Sequence, residues 1–212
     1  MIGASKICAA VTGALFLLAV SSAAGRADES ADSQQFVRSL ADKAISQLTD
    51  PTMSAGEREQ RFRVLLGDHF DVPGMGRSAL GRFWRIATPD EQKEYLALFE
   101  DLIVATYANR FRDYGGENLD ITNVVKSGSK EDAAILVQSQ IVRNVTKPIR
   151  VDWRVARNNG DHKVVDVVIE GVSMMQTQRS EFSSVITRGG GKVASLNDEL
   201  RTKTKSLLSP SN

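Results

Sequence analysis

Residues 149–170 read IRVDWRVARNNGDHKVVDVVIE, two alternating runs joined by a turn. In the first run Val151, Trp153 and Val155 alternate with Asp152 and Arg154, and in the second Val165, Val167 and Ile169 fall on one face. Successive side chains of a strand point to opposite faces, so a period of two marks a strand with one buried side. Arg157-Asn158-Asn159-Gly160-Asp161 between the runs has the composition of a tight turn. Working back, residues 118–125 and 133–142 read as two further strands separated by the polar stretch 126–132. Four consecutive strands on short loops predict an antiparallel sheet with one solvated face. Working forward, Gly171 breaks the last strand, and helices are expected over 179–188 and 193–207. Gly189-Gly190-Gly191 between those helices is a stop and linker, because it lacks the lysine and hydroxyl spacing of a phosphate loop.

The period on the N-terminal side is 3.6. Phe36, Val37, Leu40, Ala41, Ala44, Ile45 and Leu48 form one stripe over 34–48, with Asp32 or Ser33 as the expected cap and Asp50-Pro51 as the stop. Ser54 and Glu57 have capping-box spacing for a second helix reaching about Leu66. A turn over 70–74 leads to a short helix over 75–80. Thr88-Pro89-Asp90-Glu91 is the strongest local signal: a threonine cap, proline at the first helical position and a glutamate to close the box. The long helix behind it carries Leu98, Phe99, Leu102 and Phe111 on one broad apolar face and stops at Gly115-Gly116. Helices, then a meander, then helices predict an α+β fold in which helices cover a curved antiparallel sheet of about four strands. Such an arrangement can leave a cone-shaped apolar interior.

The first residues read as an export signal. Lys6 precedes an apolar run of fourteen residues, Ile7 to Val20, and small residues follow to Gly25. The run is short of the roughly 20 residues a spanning helix needs, so cleavage after Ala24 or Ala27 is expected. That leaves a signal peptide at 1–27 and a mature domain at 28–212, with a helical part 33–114, a sheet part 118–170 and C-terminal helices 179–208. The only cysteine, Cys8, lies inside the apolar run, so neither a lipidated terminus nor a disulfide is expected. Loss of Lys6 and Arg26 leaves 25 basic against 26 acidic residues. Near-neutral charge argues against a nucleic-acid partner.

Catalytic equipment is sparse. His69 and His162 are the only histidines. His69 with Asp68 or Asp71 has the makings of a general base, but two histidines 93 positions apart do not suggest zinc. Ser173 lacks the second glycine of a nucleophile elbow. No catalytic residue, metal or cofactor is expected. Trp84, Phe99, Phe111, Trp153, Met174, Met175 and Phe182 suit ordinary core, although paired methionines also suit variable apolar partners. Arg77, Arg82 and Arg85 read as a solvated face.

These residues also carry a family pattern. Arg63-Val64-Leu65-Leu66-Gly67-Asp68-His69-Phe70-Asp71 followed by Leu80-Gly81-Arg82-Phe83-Trp84-Arg85 resembles the core signature of the MlaC, or toluene-tolerance, family. The resemblance continues through Thr88-Pro89-Asp90-Glu91-Gln92, Phe99, Thr106-Tyr107-Ala108 and Tyr114-Gly115-Gly116-Glu117, and ends with 166–174 and 178–182. It spans roughly Phe36 to Leu200 in the family's order. It implies a nuclear-transport-factor-like cone beside a helical lobe, with acyl chains buried between them. It implies a periplasmic, monomeric carrier that takes phospholipid between an outer-membrane lipoprotein complex and an inner-membrane ABC transporter with an MCE-domain subunit. His162 stands where phospholipid-shuttling members usually have tryptophan, and Thr177-Gln178-Arg179 resembles the branch linked to hopanoid biosynthesis. A hopanoid is therefore the alternative cargo. A ligand-free envelope adaptor and a small-molecule enzyme using His69 are the alternatives of other classes.

Period assigns the inward faces, and the resemblance implies that they enclose a lipid cavity. Its expected lining is Trp84, Leu98, Phe99, Leu102, Phe111, Trp153, Val155, Val167, Ile169, Met174 and Met175.

Overall fold

The computed structural model describes residues 21–126, 134–143, 147–158 and 160–208. The expected signal peptide lies largely outside the described residues. The chain runs through α1 (Ser21–Leu48), α2 (Ala55–His69), α3 (Val72–Leu80), a 3-10 turn (Gly81–Arg85), α4 (Pro89–Tyr107) and a second 3-10 turn (Ala108–Asp113). It continues as β1 (Asn118–Lys126), β2 (Ile135–Val142), β3 (Ile149–Asn158), β4 (Asp161–Ile169), β5 (Val172–Ser173), α5 (Met174–Arg188) and α6 (Val193–Leu208). No helix among the described residues is long and apolar enough to cross a membrane.

Local chemistry explains most boundaries. Thr88 accepts from the Glu91 amide while the Glu91 carboxylate accepts from the Thr88 amide, completing the expected box at the start of α4. Ser54 caps α2, but Glu57 pairs instead with Arg61 at 2.7 Å. Asp32 and Ser33 are not caps: both lie within α1, which begins at Ser21. Asp71 caps α3 by accepting from the Gly74 amide at 3.0 Å, so that helix starts within the expected turn.

α5 begins at Met174 rather than 179. Ser173 accepts from the Gln176 amide, and the buried carboxylate of Asp166 on β4 accepts from both the Ser173 hydroxyl and the Met175 amide. Those bonds satisfy amide donors that a helix N-terminus otherwise leaves open.

The sheet has five strands rather than four, in the order β1-β2-β3-β4-β5 and antiparallel throughout. Glu170 (φ 49°) and Gly171 (φ 82°) both adopt left-handed backbone, which reverses the chain tightly and pairs Val172 and Ser173 back onto β4. Opposite the Arg154/Val155 step the β3–β4 register shifts: Arg154 pairs with Asp166 and Val155 with Val164. Val165 is thus an extra residue, and Val164 takes the place expected for it on the face shared with Val167.

The helices cover the sheet only in part and otherwise pack on one another. α1 lies over β1 and β2, while α2, α3 and α5 meet β4. α4 packs chiefly against α6, α3 and α2, so its apolar face builds a helix-on-helix core. α3 and α4 approach closely at Gly76, where an added Cβ would stand 2.7 Å from Leu96 and 3.2 Å from Phe99. The Tyr95 hydroxyl donates to the Gly76 carbonyl at 2.9 Å, and burial pushes its phenol pKa up.

Candidate functional site

Paired residues of neighbouring strands share a face, so the register defines one apolar surface in four rows. The innermost row contains Ile135, Val155 and Val164. The next is Val124, Val137, Trp153 and Val167, followed by Ile121, Ser139, Val151, Ile169 and Val172. Leu119, Ile141 and Ile149 form the outermost row. Ser139 and Lys126, the partner of Ile135 at the edge of the innermost row, are the polar side chains of these rows.

Burial is graded along this surface. The innermost three residues are at most 2% exposed; Ile135 and Val155 form a small closed core with Val37 of α1 and Val137, and Val164 belongs to the main core. α1 covers this end, where Glu29 pairs with Lys126 at 2.6 Å and Asp32 with Arg157 at 3.5 Å. Trp153 and Val167 of the second row are half-buried, as are Ile121 and Ile169 in the third and all of the outermost row. Val172 is 54% exposed. Ser139 and Val151 at the centre of the third row stay buried, so the apolar face is sealed at one end and half-buried at the other, with the edge strand the most exposed.

The opposite face is polar yet locally buried. Arg150 pairs with Asp152 at 2.6 Å and Arg154 with Asp166 at 3.6 Å. The Glu170 carboxylate accepts from the Arg150 amide at 2.6 Å, tying the β4–β5 turn to β3. Every one of these acidic side chains is held by a partner on the same sheet, which stiffens the sheet without supplying a reactive group.

The expected lining residues separate into groups. Phe99, Leu102 and Met175 are buried in the main core, where the Phe99 ring lies 5.9 Å from Tyr95 and 6.2 Å from Phe182. Leu98 turns toward α6, where it helps to line an open depression of about 400 Å³ with Asp101, Arg201, Thr204, Lys205 and Leu208. Trp84, Phe111, Trp153, Val167 and Met174 are half-buried and pack against the main core. Val155 belongs to the small closed core, and Ile169 to the third row of the sheet. Phe36 and Trp153 touch both cores and join them.

Sequence reading missed Phe36, Ser139 and the outermost row. The alternation of 135–142 places Ser139 inward, but a serine in an apolar row carries no signal until its partner is known. That partner is Trp153, whose Nε1 donates to Ser139 Oγ at 3.1 Å. The Ser139 hydroxyl in turn donates to the Val151 carbonyl.

The histidines flank a phenylalanine. The Phe36 ring lies 6.0 Å from His69 and 5.8 Å from His162. His69 Nδ1 stands 3.2 Å from the Leu65 carbonyl and Nε2 stands 3.1 Å from Lys43 Nζ. Burial, and then the Lys43 charge, lower its pKa. Both ring nitrogens face structural neighbours rather than a carboxylate, which is poor geometry for a general base. Among the described residues no group of three or more His, Cys, Asp or Glu side chains could hold a metal ion. Arg77, Arg82 and Arg85 are exposed, the Arg82 guanidinium lying 4.8 Å from the Phe83 ring centre. Arg179 braces α5 against α3 by donating to the Ser78 carbonyl at 2.8 Å.

A family model described as MlaC protein matches residues 38–202. The intermembrane phospholipid transport system binding protein MlaC of Haemophilus influenzae is 25% identical over 117 residues, 54% of each chain. The toluene tolerance protein ttg2D of Pseudomonas putida is 20% identical over 127 residues, 59% of this chain and 58% of that one. The matches thus span little more than half the length of these curated relatives. Among solved structures, a phospholipid-binding protein from Ralstonia solanacearum, in complex with a phospholipid, superposes with a TM-score of 0.74. It is 24% identical, and the superposition covers 83% of this chain and 98% of that one.

Proposed function

The chain belongs to the MlaC family, and from that membership and its graded apolar face we propose that it is a periplasmic phospholipid carrier. The tails insert along the apolar sheet face between the sheet and the helices, and the headgroup stays at the uncovered end. Residues 1–27 are a signal removed on export, and the mature chain works as a monomer. It takes lipid between an outer-membrane lipoprotein complex and an inner-membrane ABC transporter carrying an MCE-domain subunit. The phospholipid held by the Ralstonia solanacearum protein of the same fold supports the choice of cargo.

The observation that carries this reading is the contrast between Val155 and Val164, nearly inaccessible, and the half-buried outermost row of Leu119, Ile141 and Ile149. An apolar surface kept partly open at one end suits a guest that enters by that end. The energetics explain why a carrier is needed. Each methylene costs about 0.8 kcal/mol in water, so two tails of about thirty methylenes carry on the order of 20 kcal/mol. A protein that shields the tails removes most of that cost without making or breaking a bond.

The lining proposed keeps Phe111, Trp153, Val167, Ile169 and Met174, with Trp84, Val155 and Met175 behind them. Phe99 and Leu102 support it from the helix-on-helix core, and Leu98 is set aside because it faces α6. Native purification, solvent extraction and mass spectrometry of the mature protein test the reading. Diacyl phospholipid near one mole per mole is the expected result. A polycyclic triterpenoid would replace the cargo by a hopanoid, and a lipid-free protein that stays empty after incubation with phospholipid vesicles would leave an adaptor.

A further inference from the structure

Trp153 stands where the apolar face changes character. Its Cα partners are Val137 and Val167. On its inner side lie Ile135 and Val155 under Val37, with Val164 in the main core; on its outer side lie the buried Ser139 and Val151 flanked by the half-buried Ile121 and Ile169, and then Leu119, Ile141 and Ile149. The indole is half-buried although it sits mid-sheet, and it touches both cores.

Its orientation is set by one bond. Trp153 Nε1 donates to Ser139 Oγ at 3.1 Å, and Ser139 belongs to the next row outward. The indole therefore leans toward the open end, over a serine that is 1% exposed. Ser139 also donates to the Val151 carbonyl, so its oxygen is free to accept from the indole. In apolar surroundings the indole N–H needs that acceptor, because an unpaired buried N–H is costly.

We infer that the Trp153 indole is the stop that limits how far an acyl chain enters, and that Ser139 is the positioning residue that holds the indole in that place. This rests on the carrier reading above and adds a basis for chain-length selection. The dimensions agree. Ile149 to Trp153 is four residues of strand, or about 13 Å at roughly 3.3 Å per residue. One leaflet of a bilayer, half of about 30 Å, is about 15 Å deep. To the Trp153 backbone the distance is thus about that of one acyl tail, and the indole, which leans over Ser139, ends the track short of it. Beyond the indole lies the buried row of Ile135, Val155 and Val164, which a longer tail could press into only with the indole removed or released.

The test incubates the delipidated mature protein with vesicles holding equal amounts of short-, medium- and long-chain saturated phosphatidylglycerol, followed by native mass spectrometry. Wild type is expected to prefer one length class. Trp153→Ala, with Trp153→Phe as the milder variant, should shift the bound population several-fold toward longer chains. Ser139→Ala should give the same shift at smaller amplitude, and Ser139→Thr, which keeps the hydroxyl, should restore the wild-type distribution. In a Trp84→Phe background Trp153 is the only tryptophan, and Ser139→Ala should change its emission while Ser139→Thr should not. Loading with the wild-type length distribution in both Trp153 variants would overturn this inference and leave the carrier reading standing. Failure of wild type to load any lipid would overturn both.

Discussion

Arg58 Nε donates to the Leu48 carbonyl at 2.9 Å, so a fully buried guanidinium closes the C-terminus of α1 from within α2. The same side chain donates to the Asp50 carbonyl at 2.8 Å and the Met53 carbonyl at 3.3 Å. A helix end leaves carbonyls without partners, and here one cation serves the last of α1 and the turn that follows. α1 is the element that seals the inner end of the sheet, so the arginine fixes that seal from the helical lobe. Replacing it by methionine keeps the packing of the aliphatic stem and removes the donor from the Leu48 and Met53 carbonyls, while the Asp50 carbonyl keeps the Met53 amide. Arg58→Met should lower stability by about 3 kcal/mol, read as a drop in the urea midpoint. An unchanged midpoint would mean that water reaches these carbonyls.

Asp166 plays the corresponding part for α5. Its two oxygens accept from the Ser173 hydroxyl at 2.6 Å and the Met175 amide at 3.1 Å. An asparagine offers one acceptor and one donor, and the Ser173 hydroxyl already accepts from the Gln176 amide. Asp166→Asn should cost about 1–3 kcal/mol and raise hydrogen exchange at the first turn of α5, residues 174–178. Exchange unchanged there would show that the helix start does not depend on the carboxylate.

Val167 is the mildest place to fill the proposed track. It is half-buried beside Trp153, so a larger side chain has somewhere to go. Val167→Trp should cost no more than about 1–3 kcal/mol by overpacking while reducing bound phospholipid severalfold in extraction and mass spectrometry. A folded variant with a full lipid load would move the track away from this part of the sheet.

His69 makes stability depend on pH with a definite sign. Burial and the neighbouring Lys43 lower its folded pKa from the ordinary 6.5, with Lys163 adding to the effect and Asp68 and the Leu65 carbonyl opposing it. The unfolded chain then binds a proton more readily than the folded one below about pH 6.5. Stability is fully present above that value and is lost as pH falls from the unfolded pKa toward the folded one. Urea midpoints measured from about pH 8 down to about pH 5 should show the loss, and His69→Gln should flatten that part of it. Identical acid limbs in the two proteins would assign the loss to other groups.

Much of the architecture was legible because it is written in short-range chemistry. The Thr88-Pro89-Glu91 start of α4 involves neighbours three residues apart, and the structure has it as read. The alternation of 149–170 likewise fixes a strand pair. The start of α5 was not legible, because the carboxylate that receives the Met175 amide comes from Asp166, nine residues back on another element. The Val165 bulge escaped for a related reason: a run of valines satisfies either register, and only pairing with β3 chooses. Leu98, Phe99 and Leu102 show the limit of periodicity. It identifies an apolar face of α4, but not that α6, α3 and α2 rather than the sheet cover it.

From the sequence alone follow the class of fold, the order of its elements and an inward apolar side for each strand, since these depend on backbone period and on caps within a turn of the chain. Which apolar face is sealed and which stays half open was decided by tertiary structure, through α1 crossing one end of the sheet and leaving the other. So was the place of Ser139 under the Trp153 indole. The physical reason is the same in both cases: burial and hydrogen-bond satisfaction depend on what lies across space, and the partners here come from different elements, across a sheet or between a helix and a sheet.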